Sequence, residues 1–308
     1  MEKAKTALIE SINASQQSAP SHVMLGQVYY WLGDKEKGLN ELLLAERCAL
    51  APSDINAVGS AYRNLGLCEQ AIRLFTKALE TASGKARVHA YVGLGHCSKG
   101  ESRTQYFEQA LSLAKGDDPD LFCVRGKLCF SRYEKGKNLK DLREAIEWYQ
   151  KAIAYRPENA TYHNDLGVAY LSLYSETCEK NFLDSMIEEY KRARDLHSGP
   201  LDPILLSNLA QGYLAYAVAK FDGCEDIRND TYHYVLRRIA ETKSVPPEVT
   251  QNIEQALMYY ERVITLSPEN RESYEQLRSI YHALNREEAV KRLEVRAQKA
   301  AIKLSPIE

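Results

Sequence analysis

Seven cysteines and seven histidines are the side chains of this 308-residue chain best suited to metal binding or nucleophilic chemistry. The cysteines are scattered and form no C-x-x-C pair, so their spacing fits neither a disulfide framework nor a zinc site. His89 and His96 lie seven residues apart on one face of a predicted helix, and His96 adjoins Cys97. A metal site or a Cys/His nucleophile there would need a third group, which the spacing does not supply. We therefore expect reduced, mostly buried thiols and no bound metal ion.

Motifs of catalysis and nucleotide binding are missing from the sequence. It contains no G-x-x-x-x-G-K-[ST] loop, no G-x-S-x-G elbow and no H-E-x-x-H pair. The G-x-G at Gly93-Leu94-Gly95 falls within a predicted helix, where small residues permit close helix contact. The carboxylates of Glu188 and Glu189 are expected on a solvent-facing helix surface, without the pocket that general acid-base catalysis requires. We expect a protein that is not an enzyme and that uses no cofactor.

The composition is typical of a globular protein, with 44% apolar and 27% charged residues. The formal net charge is −2, so no overall positive field favours nucleic acid or an anionic membrane as the main ligand. The sequence has no apolar leader core and no stretch of about 18 uninterrupted apolar residues. We expect no nucleic-acid partner, no membrane insertion and a cytoplasmic location.

Two short phrases recur along the chain and indicate repeated helix pairs. One has an apolar residue, then Gly or Ala, then an aromatic three positions later, as in Val58-Gly59 with Tyr62. The other has a small or flexible apolar residue, an aromatic four positions later and a small or β-branched residue three after that, which places all three on one helix face. Because Gly costs up to about 1 kcal/mol in a helix, its recurrence predicts close helix-to-helix approach. The second phrase occurs at 70–79, 144–153, 185–194 and 255–264.

Together the phrases resemble the tetratricopeptide-repeat family, whose pattern is W-x2-L-G-x2-Y, then A-x3-F, then P. The best match places Ile55 in the Trp position and has Gly59, Tyr62, Ala71 and Phe75 at the family spacing. The resemblance implies an all-α fold, a right-handed α-solenoid superhelix of antiparallel helix pairs. Residues 1–18 are expected to form an orphan helix or an N-terminal cap. Seven repeats are predicted at about 19–52, 53–85, 86–118, 119–157, 158–197, 202–268 and 269–306.

Two departures from the family pattern predict local differences. The spacing between the two phrases is longer than the norm in the repeats at 119–157 and 158–197, which predicts about one extra turn in each of their helices. The repeat at 202–268 contains an inserted segment at about 222–252, whose apolar residues have helical spacing. Long insertions into repeat arrays are commonly functional, so this segment is expected to form a helix that contributes to specificity. Its candidate contact residues are Tyr232, Leu236, Arg237 and Arg238.

The resemblance also implies where a partner binds, namely a concave wall lined by the first helix of each pair. Asn and Gln side chains on that wall could bind the backbone of an extended peptide, because each can donate and accept. Arg63, Arg87 and Lys127 would add a positive section suited to an acidic residue or a terminal carboxylate. The predicted wall residues are Gln27, Trp31, Asn56, Ser60, Arg63, Asn64, Arg87, Tyr91, Lys127, Asn164, Asp165, Ser207, Asn208 and Gln211.

These features predict a non-enzymatic scaffold or adaptor that binds a peptide segment or a helix of a protein partner in its groove. Two alternatives stay open. The array could be a regulatory or sensor arm of a larger enzyme or multiprotein complex. It could also be a self-assembling scaffold, because apolar faces at terminal repeats can stack end to end into a homo-oligomer.

Overall fold

The computed structural model describes residue 6 and residues 18–113, 119–197, 203–222, 232–242 and 244–305. At positions 31, 222 and 232–234 it describes the backbone alone. The cap predicted at 1–18 therefore lies almost entirely outside the described residues. Throughout the described ranges all regular secondary structure is helical. Contacts between Cα atoms divide the chain into two compact units, unit 1 up to Tyr155 and unit 2 from Arg156 onward.

Unit 1 consists of consecutive helix pairs, in which α1 packs on α2, α3 on α4, α5 on α6 and α7 on α8. The helices α1 to α6 have 13 or 14 residues, whereas α7 has 18 and α8 has 17. The extra turn predicted for this last pair is therefore confirmed. The bounds are α1 Ala19–Trp31, α2 Lys35–Cys48, α3 Pro52–Asn64, α4 Cys68–Thr81, α5 Gly84–Cys97, α6 Gly100–Leu113, α7 Pro119–Gly136 and α8 Leu139–Tyr155.

Unit 2 pairs α9 with α10, α11 with α13 and α14 with α15, while α12 packs against α11 and α14. Helices α9 and α10 have 18 and 17 residues, which confirms the extra turn expected in this pair. Within the segment predicted as an insertion, the structure has the helix α12. The bounds are α9 Ala160–Thr177, α10 Lys180–Leu196, α11 Pro203–Asp222, α12 Tyr232–Glu241, α13 Pro247–Leu266, α14 Arg271–Ala283 and α15 Glu287–Lys299. This all-helical, consecutively paired arrangement is that of an α-solenoid.

Local sequence signals explain where several helices begin. Asp34, Asn159 and Asn270 each precede a helix, and their side chains accept hydrogen bonds from backbone N–H groups of its first turn. Such capping satisfies donors that have no partner within the helix. Gly33 and Gly66 lie between paired helices with φ of +91° and +78°, values that suit glycine because it has no Cβ.

The recurring glycines of the first helix in each pair leave space for aromatic rings from the second helix of a pair. A Cβ atom built on Gly93 of α5 would lie 2.4 Å from Cζ of Phe75 in α4, and one on Gly59 of α3 would lie 3.0 Å from Cε1 of the same ring. The ring of Tyr190 in α10 is enclosed in the same way by Gly167 of α9 and Gly212 of α11, at 2.6 and 2.8 Å. Each ring therefore lies between the first helix of its own pair and the first helix of the next pair.

This finding corrects part of the sequence interpretation, which attributed the glycines to direct helix approach. Backbone contact of that kind occurs between α1 and α2, where a Cβ on Gly26 would lie 2.9 Å from the carbonyl oxygen of Gly38. At Gly59, Gly93, Gly167 and Gly212 the nearest atoms belong to an aromatic ring instead.

A buried ion pair joins α9 to α10. The Nδ1 atom of His163 lies 2.5 Å from Oε2 of Glu189, and its Nε2 atom lies 2.8 Å from the carbonyl oxygen of Pro157. His163 is 3% exposed and Glu189 is 9% exposed. The expectation that Glu189 faces solvent is therefore wrong, although its neighbour Glu188 is exposed.

The cysteines also differ from expectation. Cys178 is disulfide-bonded, so the prediction that all thiols are reduced is wrong at this position. Among the described residues, Cys48, Cys68, Cys97, Cys123 and Cys129 are free thiols. None of the helices in the described part of the chain is both long enough and apolar enough to cross a membrane.

Candidate partner-binding surfaces

The first helices of unit 1 bring a group of basic side chains together. The charges of Lys127 on α7 and Arg63 on α3 both act on the imidazole of His96 on α5. Arg63 also acts on His89, which lies two turns before His96. These four residues, from three successive first helices, define what we call the basic face of unit 1.

The surroundings of the two histidines of the basic face favour their neutral form. Burial lowers the pKa of His96 well below its usual value, and the charges of Lys127, Arg63 and Arg103 lower it further. Burial also lowers the pKa of His89, with a second contribution from Arg63, while the charge of Asp120 on α7 opposes this shift. A neutral imidazole can donate one hydrogen bond and accept another, so the face combines permanent positive charge with neutral polar groups.

The sequence prediction of the binding wall does not include His89 and His96. Their spacing of seven residues on one helix face is the sequence signal that places both on the same surface. Among the described residues no group of His, Cys, Asp and Glu side chains is arranged to hold a metal ion.

Asn56 does not line an open wall, and its prediction as a peptide-binding residue is wrong. Its side chain is 0% exposed, and its Nδ2 atom donates a hydrogen bond of 2.7 Å to the carbonyl oxygen of Ala86. The residue therefore joins α3 to the first turn of α5. Its buried Oδ1 atom has no partner in the described part of the chain.

The remaining predicted residues of unit 1 form small local groups. The Arg63 guanidinium donates to Oδ1 of Asn64, at 3.1 Å from Nη2. Arg87 is exposed, and its guanidinium lies 5.9 Å from the ring centre of Tyr91. Ser60 is half-buried, with Oγ 3.5 Å from Nε2 of His89. Gln27 is half-buried, and the side chain of Trp31 lies outside the described atoms.

Unit 2 brings two of the predicted asparagines into direct contact. Nδ2 of Asn208 on α11 donates a hydrogen bond of 2.9 Å to Oδ1 of Asn164 on α9. Ser207 is half-buried and Gln211 is exposed, on the same helix as Asn208. Asp165 is half-buried, and its charge adds to the burial that raises the pKa of Tyr190. The asparagine pair thus links two successive first helices.

The inserted helix α12 is part of the core of unit 2. Leu236 is 1% exposed and belongs with Val235 and Ile239 to the main apolar cluster of the unit. The prediction of Leu236 as a partner contact is therefore wrong, because its side chain already packs within the unit. Arg237 and Arg238 are exposed, and the guanidinium of Arg238 lies 5.9 Å from the ring centre of Phe221. The side chain of Tyr232 lies outside the described atoms.

Because α12 is packed in this way, we expect Leu236→Ala to lower the free energy of unfolding by about 2–4 kcal/mol, through lost burial and a new cavity. Arg237→Ala, at an exposed position of the same helix, should change it by less than about 0.5 kcal/mol. Urea denaturation followed by circular dichroism measures both. Equal, small effects of the two variants would show that α12 is only loosely attached to the unit.

Comparison with known proteins adds family and fold information. Residues 133–173, which run from the end of α7 into α9, match the family model described as TPR repeat. No curated protein matches the chain. The match supports a protein-interaction scaffold as the general class of function, a class that is generally non-catalytic.

Three solved structures are similar to the chain at low sequence identity. The human IFIT1 dimer with PPP-AAAA is 13% identical, with 98% of this chain and 69% of that chain covered and a TM-score of 0.48. The C-terminal part of a TPR repeat-containing protein from Cytophaga hutchinsonii is 12% identical, with 88% and 92% covered and a TM-score of 0.36. YrrB, described as a TPR protein with an unusual peptide-binding site, is 18% identical, with 65% and 95% covered and a TM-score of 0.32. The resemblance to the tetratricopeptide-repeat family is confirmed, and residues 133–173 are the segment that matches the family model.

Proposed function

We propose that the chain is a protein-interaction scaffold whose basic face in unit 1 binds an acidic, extended segment of a partner protein. The observation that carries this proposal is the convergence of Arg63, His89, His96 and Lys127 from three successive first helices. The whole chain has a net charge of −2, so the positive charges of Arg63 and Lys127 on this face are a local feature. Hydrogen bonds from guanidinium or ammonium groups to carboxylates are shorter and stronger than neutral ones.

The spacing of the helices favours an extended peptide. Helices α3 and α5 are in contact, and helices in contact lie about 8–10 Å apart. We take the same spacing for the step from α5 to α7. An extended chain covers about 3.3–3.6 Å per residue, so two such spacings correspond to about five or six residues. A peptide with two carboxylates about five residues apart would place one near Arg63 and the other near Lys127. The half-buried Ser60 hydroxyl and the neutral imidazoles could bind peptide backbone groups between them.

A direct test uses fluorescein-labelled eight-residue peptides that carry Glu at the first and sixth positions, and the same peptides with Gln at both. Each peptide is prepared with a free and with an amidated C-terminus, which separates side-chain from terminal carboxylate recognition. Fluorescence anisotropy should show at least tenfold tighter binding of the Glu peptide, and the difference should shrink as salt is raised.

The variant Arg63→Gln/Lys127→Gln should lose at least tenfold in affinity for the Glu peptide. The matched control is Lys77→Gln/Arg143→Gln, which removes an exposed lysine and an exposed arginine from the second helices α4 and α8. The control should bind within twofold of the unmodified chain. Equal binding of the Glu and Gln peptides, or equal losses in both double variants, would contradict the proposal.

A further inference from the structure

The segment that follows α15 turns back and is held by three side chains of α14. Arg278 Nη2 donates to the carbonyl oxygen of Ser305 at 2.5 Å, and Arg271 Nη2 donates to Oγ of the same serine at 2.9 Å. The Ser305 hydroxyl and backbone N–H both donate to Oε1 of Glu275, at 2.8 and 3.2 Å. Both polar backbone groups of Ser305 and its side chain are thus bound by one helix.

The apolar side chains of the same segment alternate with exposed ones. Ile302 and Leu304 are half-buried and pack against the core of unit 2, whereas Lys303 and Ser305 are exposed. A period of two is the pattern of an extended peptide that lies along a surface. The segment therefore contacts unit 2 as a bound peptide would, through two apolar side chains and a set of backbone hydrogen bonds.

A contact within α14 orients two of the residues that bind the segment, Arg271 and Glu275. With the segment in place, Arg278 is only 8% exposed and donates to a peptide carbonyl group. Nε of Arg271 donates to Oε1 of Glu275 at 2.9 Å, one turn away on the same helix. The hydrogen bond from Ser305 lowers the pKa of Glu275, and that from Arg271 lowers it further, so this acceptor stays ionised.

The backbone that leads into the segment is strained. Ala301 has φ of +57°, in the left-handed region that costs a non-glycine residue roughly 1–2 kcal/mol. The N–H of Ile302 bonds to the carbonyl oxygen of Ala297 at 2.9 Å, which fixes this turn at the end of α15. Release of the segment breaks the four hydrogen bonds of Ser305 to α14, but it relieves the strain at Ala301, and the apolar side chains that it exposes are already only half-buried.

We propose that Arg271, Glu275 and Arg278 of α14 form a second peptide-binding site, specific for extended segments of the pattern apolar-x-apolar-Ser. The segment 302–305 of this chain occupies the site and competes with a partner protein that carries the same pattern. This site lies in unit 2 and does not depend on the basic face of unit 1.

The test adds a labelled peptide, Ala-Ile-Lys-Leu-Ser with blocked ends, to the full chain and to the full-length release variant Ile302→Ser/Leu304→Ser. Fluorescence anisotropy should show at least tenfold tighter binding to the release variant than to the unmodified chain. Adding Arg278→Met to the release variant should reduce the affinity at least tenfold. Adding Arg292→Met, at an exposed position of α15, should leave it within twofold.

Two results would overturn the proposal: no peptide binding to a release variant with normal helical circular dichroism, or binding that Arg278→Met does not change. If the release variant failed to fold, hydrogen exchange on the unmodified chain decides instead. Excess peptide should then accelerate exchange of the amides of residues 302–305, because it displaces the chain's own segment. Unchanged exchange at saturating peptide would show that the segment is a permanent part of the fold.

Discussion

Replacing Glu189 by alanine is expected to lower the free energy of unfolding by about 1–3 kcal/mol, because it leaves a buried imidazole N–H without its acceptor. Both ring nitrogens of His163 face acceptors, the carboxylate of Glu189 and the carbonyl oxygen of Pro157. An imidazole that donates from both nitrogens is positively charged, and the raised pKa of His163 favours this form. Chemical denaturation followed by circular dichroism measures the loss.

The neighbouring residue supplies a matched control. Glu188→Ala removes a carboxylate that is exposed and pairs with Arg192 on the surface. It should change the stability by less than about 1 kcal/mol, the usual range for exposed ion pairs. A loss in Glu189→Ala no larger than that in Glu188→Ala would mean that His163 is neutral in the folded chain.

The same pair gives the stability a defined dependence on pH. The hydrogen bond to Glu189 is the main cause that raises the pKa of His163 above its usual value. Because the folded state holds this proton more tightly than the unfolded state, the contribution is fully present below about pH 6.5. It is lost as the pH rises through the raised pKa of the folded state. The stability difference between the unmodified chain and Glu189→Ala should therefore shrink as the pH is increased above neutrality.

Gly93→Ala is expected to lower the free energy of unfolding by about 1–3 kcal/mol through overpacking. The new Cβ would lie 2.4 Å from Cζ and 2.5 Å from both Cε atoms of Phe75, which is closer than carbon atoms can approach. Gly59 also lies close to this ring, since a Cβ on it would be 3.0 Å from Cε1, so the ring has little room to move. Thermal and urea unfolding of the variant measure the loss.

Two further variants separate this steric effect from the helix preference of alanine. Gly136→Ala, at the end of α7, places its Cβ in open space and should be neutral or slightly stabilising. Phe75→Leu should relieve much of the clash in Gly93→Ala, which a double-mutant cycle would show as a favourable coupling. Additive effects of Phe75→Leu and Gly93→Ala would contradict the proposed contact.

Much of the fold could be predicted from the sequence, because helix pairs depend on local periodicity. The recurrence of a small residue and an aromatic indicated first and second helices, and the longer spacing between the phrases indicated the longer helices α7 to α10. The spacing of Val235, Leu236 and Ile239 indicated α12 for the same reason. What the sequence could not show is which surface α12 packs against, since that depends on contacts with distant parts of the chain.

The candidate sites were less predictable for the same physical reason. Asn56 has the sequence position of a wall residue, but its side chain is buried and donates a hydrogen bond to the carbonyl oxygen of Ala86, thirty residues away. Glu189 follows an exposed glutamate and differs from it only in facing His163. Cys178 carries no local sequence signal that distinguishes it from the free cysteines. In each case the deciding partner is remote in sequence, so helix periodicity gives the position of the side chain but not its environment.

The aromatic rings between paired glycines determine how the energy of folding is distributed. Phe75 contacts the first helix of its own pair and that of the next pair, and Tyr190 does the same in unit 2. Removing either of these two first helices would expose part of a large apolar ring. Part of the stability therefore comes from contacts between adjacent repeats and not from any single repeat. Arrays with strong nearest-neighbour terms unfold in blocks of several repeats. Within each unit, adjacent helix pairs joined by such a ring therefore gain and lose their structure together.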